Sequence, residues 1–596
     1  MHFNQAKSRR WVLVLGSSLL ALSAAGGAKA ASLTDITISG FVRQEFAGRV
    51  SGVANPNNTQ SNPFNNVPVK DSSSATVHTR NVRSRNNDLN YFVTRAEANI
   101  DWRLSSEWKF HGNIRAVYDW DLYEDSGDYT TNPNFQDTPT RINYFQTQLH
   151  GGGRGSWLEY SNRKYSIDAP AVYLDYNHGG LFVRVGNQTI AWGESLFFRV
   201  LDVPNGLDLR RHLILDPAAE EFSDKRVPAP GVRVSYQVTN DWEVEGFAQK
   251  FTPAILNNPS TPYNLIPDQF TVLDRYKSTV DDQWNFGARI RGQLGPLGLQ
   301  FIGVSRHNPD GVFRWTYAEG SGVLPGTAFS FDRNGVYSYR EWFHYAGVTR
   351  LSAIGALNTA LLFPGAGGGA LHANNMAEAT QILDGFYDLA GTMNRGLRGF
   401  LERYYPYEKI FGAGANYVVE TEDPASFWDQ LITRAELSFT PNKAFTNPSL
   451  GVDPVREDEW ALALVAEKYW RFTPEFPATY FVLQYLHKSA SDLFGRSLQC
   501  QGGDDFSNCQ GQDGGYNAIA FAFQQPSPTL AWRFDFSVLA DLRGSFFVQP
   551  GVKWKPNDAW QVDLYANLYT GESGNDSALS TLDWADEFFL RVSRQF

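Results

Sequence analysis

Charged residues recur at every second position through several stretches of this 596-residue chain. Arg95, Glu97, Asp101 and Arg103 alternate with Ala96, Ala98, Ile100, Trp102 and Leu104, and Lys109 and Arg115 alternate with Phe110, Ile114 and Ala116. Arg184 with Gln188, Arg233, Glu243 with Glu245, Arg289 with Arg291, Asp563 and Arg591 stand in the same relation to apolar neighbours. A row of fixed charges on one face sorts ions and solutes by electrostatics rather than by bond chemistry. The basic members outnumber the acidic ones (Glu97, Asp101, Asp119, Glu243, Glu245, Asp563), although the whole chain carries 52 basic and 63 acidic residues. The rival reading is that these charges pair across neighbouring segments and fill the interior. Nucleophilic or metal catalysis has little support. The ten histidines are scattered, and neither Gly-x-Ser-x-Gly nor His-Glu-x-x-His occurs. Asp504, Asp505 and Asp513 lie near glycines without EF-hand spacing. The expectation is therefore no enzyme, no cofactor and no metal. A net charge of −11 argues against nucleic acid as a partner.

A strict period of two belongs to β-strands. An Arg or Lys facing lipid near the bilayer midplane costs about 2–4 kcal/mol, so the charged faces are expected to point into a lumen and the apolar faces into a membrane. Hairpins are predicted over Leu89–Asp121, Ala171–Gln188, Gly231–Gln249, Gln283–Arg306 and Glu459–Lys488, joined by short turns such as Thr239-Asn240-Asp241 and Gly295-Pro296. Residues 49–88 and 489–528 are read as long loops. Short turns at one rim and long Gly/Asn/Pro loops at the other are the asymmetry of a transmembrane antiparallel up-and-down β-barrel, here of about 16 strands (14–18). Aromatics at 14%, with only 3 Met, suit girdles at two membrane interfaces.

Lys7, Arg9 and Arg10 precede an apolar run from Trp11 to Ala25, and Ala28-Lys29-Ala30 supplies a cleavage site. Residues 1–30 are read as a signal peptide cut before Ala31, and 31–596 as the barrel. Strand one begins at Ile36, which leaves no room for an N-terminal plug. Cys500 and Cys509 flank a glycine-rich polar loop, which in an exported protein predicts one local disulfide, with two free thiols as the alternative. The last residues alternate Phe588, Leu590, Val592 and Phe596 against Phe589, Arg591, Ser593 and Gln595. A strand ending on Phe596 resembles the assembly signal of Gram-negative outer-membrane barrels, which implies the barrel-assembly machinery as a partner. Arg594 departs from the aromatic or apolar residue usual at that position.

One segment has helical spacing. Met376, Ala379, Ile382, Leu383, Phe386, Leu389, Ala390, Met393, Leu397, Phe400 and Leu401 recur at three and four. A helical insertion over 373–405 is predicted, capped by Asn374 or Asn375, with Arg395, Arg398 and Arg403 on its C-terminal half. Its apolar stripe must be buried, against aromatic lumen residues or over the barrel mouth. Either position narrows the route of solutes. A structural lid with no role in transport is the other reading.

The stretch from Val183 reads Val-Arg-Val-Gly-Asn-Gln-Thr-Ile-Ala-Trp-Gly-Glu-Ser, followed by Asp202, Asn205 and Asp208. It resembles the Gram-negative outer-membrane family catalogued as domain of unknown function 1302, over most of the chain and least over Ala318–Pro454. The resemblance implies an outer-membrane barrel and an association with hydrophobic compounds or lipids beside periplasmic partners. Trp192 and Glu194 leave the barrel wall at Gly193, and Glu194, Asp202 and Asp208 are expected to anchor this loop through Arg210, Arg211 or lumen arginines. The functional expectation is a porin-like channel for small anionic or amphiphilic solutes. The alternative is a closed structural barrel that docks a periplasmic lipid-handling partner.

Overall fold

The computed structural model describes residues 36–70, 77–79, 88–122, 143–147, 154–211, 225–320, 323–332, 334–391, 396–497, 515–571, 577 and 579–596. The expected signal peptide, Arg395, the cysteine pair and the Asp504/Asp505/Asp513 group lie outside them.

Eighteen strands close into one antiparallel barrel. They are β1 Ile36–Arg49, β2 Leu89–Arg103, β3 Trp108–Asp119, β4 Tyr165–His178, β5 Leu181–Gln188, β6 Ala229–Gln237, β7 Trp242–Lys250, β8 Trp284–Leu294, β9 Leu297–His307, β10 Tyr407–Val419, β11 Leu431–Phe445, β12 Val455–Trp470, β13 Thr479–Lys488, β14 Tyr516–Pro526, β15 Trp532–Asp541, β16 Ser545–Asn557, β17 Trp560–Gly571 and β18 Glu587–Gln595. Each strand pairs with its neighbour in the chain. β18 pairs with β1, with Arg591 opposite Glu45, so the ring has no edge to protect. A three-residue strand, Glu159–Ser161, adds to β4 outside the ring.

Burial is inverted relative to a soluble sheet. On β8, Arg289 is 6% exposed and Ile290 is 45% exposed. Val185, Val244, Phe301, Leu464, Phe534 and Leu564 are likewise exposed, while Arg95, Arg115, Glu245 and Arg591 are buried. The exposed apolar faces form the outer surface, with Trp102, Trp108, Trp532, Trp554 and Trp560 as exposed indoles along the turn-side rim. Trp532 and Trp554 stack at 5.3 Å between ring centres.

Three expectations need correction. The count is 18 rather than about 16. Tyr516–Pro526 is a barrel strand, so the loop expected over 489–528 ends before it. Its Ala518, Ala520 and Ala522 face inward opposite Ile519, Phe521 and Phe523, and with apolar residues on both faces the alternation of polarity disappears. Among the described residues of the insertion predicted as helix over 373–405, helix spans Met376–Gly391. Gly396–Tyr404 is a strand buried on both faces, so its apolar residues satisfy a period of 3.6 as well as a period of two. Gly396 and Gly399 disfavour continuing the helix.

On the long-loop side, a cap is built from residues 251–283, between β7 and β8, and 308–406, between β9 and β10. Its sheet centres on Gly396–Tyr404, which pairs in parallel with Phe270–Asp274 and antiparallel with Val312–Trp315 and Phe329–Asp332. Three longer helices complete it: α1 Tyr339–Val348, α2 Ala353–Leu361 and α3 Met376–Gly391. Ser338 and Ser352 cap α1 and α2, and the Asn375 side chain accepts the Glu378 N–H at 2.9 Å at the start of α3. Trp315, Phe329, Trp342, Leu357, Leu383, Tyr387 and Leu401 share one apolar core.

Candidate functional site: an inward loop and a cationic chamber

β5 ends at Gln188, and the chain then turns into the barrel. The Gln188 amide donates to Gly231 O at 3.1 Å, and Asn205 Oδ1 accepts the Ile190 N–H at 2.7 Å. Gly193 has φ +91, and a Cβ there would lie 3.0 Å from Asp202 N, so a side chain would be strained by conformation and crowded in space. The bend drives Trp192 into the wall, where it is 1% exposed. Its Nε1 donates to Glu245 Oε1 at 2.6 Å, and its ring meets Phe247 edge-on at 5.1 Å. The other Glu245 oxygen accepts from Arg233 at 2.8 Å and Arg289 at 2.7 Å.

Beyond the bend, the loop crosses the lumen to the opposite strands. Glu436 on β11 accepts the N–H groups of Glu194, Ser195 and Leu201. Gln484 on β13 accepts those of Leu196 at 3.1 Å and Phe197 at 2.9 Å. Glu194 accepts two bonds from Asn416 and pairs with Arg434 at 3.4 Å. Leu201 packs where Gly412 on β10 leaves space; a Cβ there would sit 2.3 Å from it. Asp202 pairs with Arg199 and Arg226, and Asp208 with Arg210, which also holds Glu159 at 2.7 Å. Burial alone would raise the Asp208 carboxyl, but Arg210 beside it holds it well below the usual range. The charge of Arg211, the other expected partner, adds to this lowering. Glu436 and Gln484 were not singled out in the sequence: each is one polar residue on an otherwise ordinary alternating strand.

Of the wall charges expected to line the lumen, Arg95, Arg115, Glu245, Arg289 and Arg591 are buried while Lys109 and Arg291 are exposed, and most have partners. Arg95 pairs with Glu97, Lys109 with Asp101, Arg115 with Asp168, Arg184 with Asp175, and Arg291 with Glu243. Arg184 also stacks 3.7 Å from the Tyr173 ring centre. Arg103 is exposed at the turn end of β2. Asp168 and Asp175, absent from the sequence-based set, neutralise the cationic surplus expected for β2–β8. The inner wall is also less polar than its alternation implied. Ala461, Ala463, Val465, Val482, Ala518, Ala520, Leu539, Phe547 and Phe589 form one buried core with the loop residues Ile190, Phe197, Phe198 and Leu201.

The surplus of positive charge lies elsewhere. A cavity of about 330 Å³ occupies the turn-side half of the lumen against β14–β18 and β1. Arg43, Arg533, Lys553, Lys555 and Arg591 line it, with Asp535 and Asp563 as the acidic members. Arg43 donates to Ser593 Oγ at 2.9 Å and lies 3.5 Å from Glu45. Arg591, 2% exposed, lies over the Tyr565 ring at 5.0 Å. Lys553 is 3.7 Å from Asp563, whose carboxylate also takes both Gln561 bonds. Of these residues only Arg591 and Asp563 were in the lumen set expected from sequence. The Lys553, Lys555 and Asp563 alternation on β16–β17 was the readable signal for the rest.

Of the arginines expected on the helix, Arg398 and Arg403 belong to the cap strand. Arg398 pairs with Asp332 and donates to Asp268 O at 2.6 Å, and Arg403 donates to Ala254, Pro309 and Asp310 carbonyls. They tie the cap together rather than facing the lumen.

A closed barrel with an apolar exterior and a loop folded across its lumen defines a membrane β-barrel. The chain belongs to the family described as Protein of unknown function (DUF1302), whose model matches residues 11–596. No curated protein matches it. Among solved structures it is similar to Acinetobacter baumannii OccAB3, at 8% identity and TM-score 0.39 over 95% of this chain and 100% of that one. It is also similar to Pseudomonas aeruginosa OpdK, solved with vanillate, at 8% identity and TM-score 0.39 over 95% and 99%. A third is the outer membrane channel DcaP of A. baumannii, at 10% identity and TM-score 0.33 over 96% and 99%.

Proposed function

We propose that this protein is an outer-membrane channel, delivered by the signal peptide at 1–30, that passes small solutes and prefers anions. The observation that carries the reading is the cation-lined cavity in the turn-side half of the lumen. Eighteen strands enclose more space than side chains alone fill, and the loop from Thr189 to Arg211 narrows that space. The cap and the inward loop set the constriction, and the Arg43, Lys553 and Arg591 wall sets the preference. Two buried apolar clusters filling the loop-side half favour a second reading, a closed barrel that docks a periplasmic lipid-handling partner. Purified protein in planar bilayers decides between them. Discrete conductance steps with an anion-selective reversal potential support the channel, and silent bilayers with correctly folded protein support the docking barrel.

A further inference from the structure

We infer that the turn-side cavity is a binding site for small amphiphilic carboxylates, which deepens the channel reading above and rests on it. The charge argument is local. Along β2–β8 cations and carboxylates match nearly one for one, whereas around this cavity five basic side chains meet three acidic ones, Asp535 paired with Arg533, Asp563 beside Lys553 and Glu45 beside Arg43. The surplus therefore coincides with the space.

The cations are also held in place. Arg591 stacks over Tyr565, Arg43 over Phe41 at 4.5 Å, and Arg43 is further fixed by Ser593. Guanidinium groups oriented by aromatic faces are set to receive a planar anion, for which a carboxylate is the common match. An inorganic anion would need nothing more.

The cavity offers more. Ala522 and the Tyr565 ring form an apolar flank among its lining. Along β15, β16 and β18 the inward residues change from Leu539, Phe547 and Phe589 on the loop side to Arg533, Lys553 and Arg591 on the turn side. The wall is thus amphipathic along the barrel axis, apolar above and cationic below. A ligand that satisfies both parts has one carboxylate and a compact apolar body. The volume lies at the lower end of the ~300–1,000 Å³ usual for small-molecule sites, which fits a single ring.

The test uses the full-length protein in detergent micelles, with benzoate as probe, benzamide as its uncharged counterpart and acetate as the carboxylate without a ring. Calorimetric titration should show benzoate binding about tenfold more tightly than either control. Arg43→Gln and Lys553→Gln should each weaken benzoate about fivefold or more and leave benzamide unchanged. Should Arg43→Gln fail to assemble, Lys553→Gln, nearer the rim, answers alone. Equal affinity for benzoate and benzamide, equal affinity for benzoate and acetate, or benzoate binding unchanged in the variants would each overturn the site. The same preparation in bilayers separates the two readings. Conductance without discrimination among the probes removes this site and keeps the channel. Discrimination without conductance keeps the site and removes the channel.

Discussion

The indole Nε1 of Trp192 lies 2.6 Å from Glu245 Oε1, and this bond fixes the point at which the inward loop leaves the wall. Trp192→Phe keeps the ring in place and deletes the donor. A hydrogen bond to a charged group contributes about 1.5–3 kcal/mol. The unfolding free energy should fall by that order, lowering the midpoint, while the barrel stays heat-modifiable, and single-channel current should become larger and noisier. An unchanged midpoint and current would mean that Arg233 and Arg289 hold Glu245 without help from the loop.

Glu436 accepts three main-chain N–H groups from the loop. Glu436→Ala leaves them without that acceptor, at about 1–3 kcal/mol for each donor left unsatisfied. Trypsin should then cut after Arg199 in folded protein, where the wild type resists. Equal resistance would show that Gln484 suffices to hold the loop.

Phe596 exchanges two 3.0 Å main-chain bonds with Gly40, and its ring packs where Gly40 has no side chain. Deleting Phe596 removes the last pairing of the closing seam. Heat-modifiable barrel in the membrane fraction should drop severely, and wild-type amounts would refute this.

The ends of β9 and β10 already pair, with His307 opposite Tyr407. Replacing residues 310–404 by a short Gly/Ser linker should therefore keep the barrel and raise conductance. A linker over Ala373–Arg403 alone should do worse, because it removes most of the central strand of the cap sheet and exposes its core. If complete excision folds and permeability does not change, the cap is only a lid.

Asp268 lies in the loop between β7 and β8, and burial pushes its carboxyl up to about 6 despite the Thr59 and Arg398 groups that favour the anion. The folded form then holds the proton more tightly than the unfolded one, whose value is 3.8. Sign follows directly: loop packing is strongest at low pH and weakens as pH rises from about 4 through 6, by about 3 kcal/mol at most. Hydrogen exchange over residues 55–62 should be faster at pH 7.5 than at pH 4.5 after correction for intrinsic rates. Asp268→Asn should remove the difference, and its persistence would point to another group.

The barrel was legible because a lipid-facing strand must alternate, and β2, β3, β7 and β18 do so plainly. β14 was not, because an alanine-lined inner face packs against other protein rather than water. The loop could be foreseen at Trp192-Gly193-Glu194, where an aromatic, a glycine and an acid follow a complete strand. Its landing points could not. Glu436 and Gln484 lie about 240 and 290 residues further along, and nothing local distinguishes a carboxylate that accepts three N–H groups from one that meets water. The helix was recognised, but its end was not, since Leu397, Phe400 and Leu401 are buried whether the segment winds or extends.

The parallel pairing of Phe270–Asp274 with Gly396–Tyr404 joins two loops that belong to different hairpins. Loops on most barrels fluctuate one at a time, each limited by its own two strands. Here neither segment can lift without breaking the shared ladder, and breaking it uncovers the core around Trp315 and Trp342. The cap on that side is therefore held as one cooperative unit, and lifting it would be a single event rather than the sum of independent loop excursions.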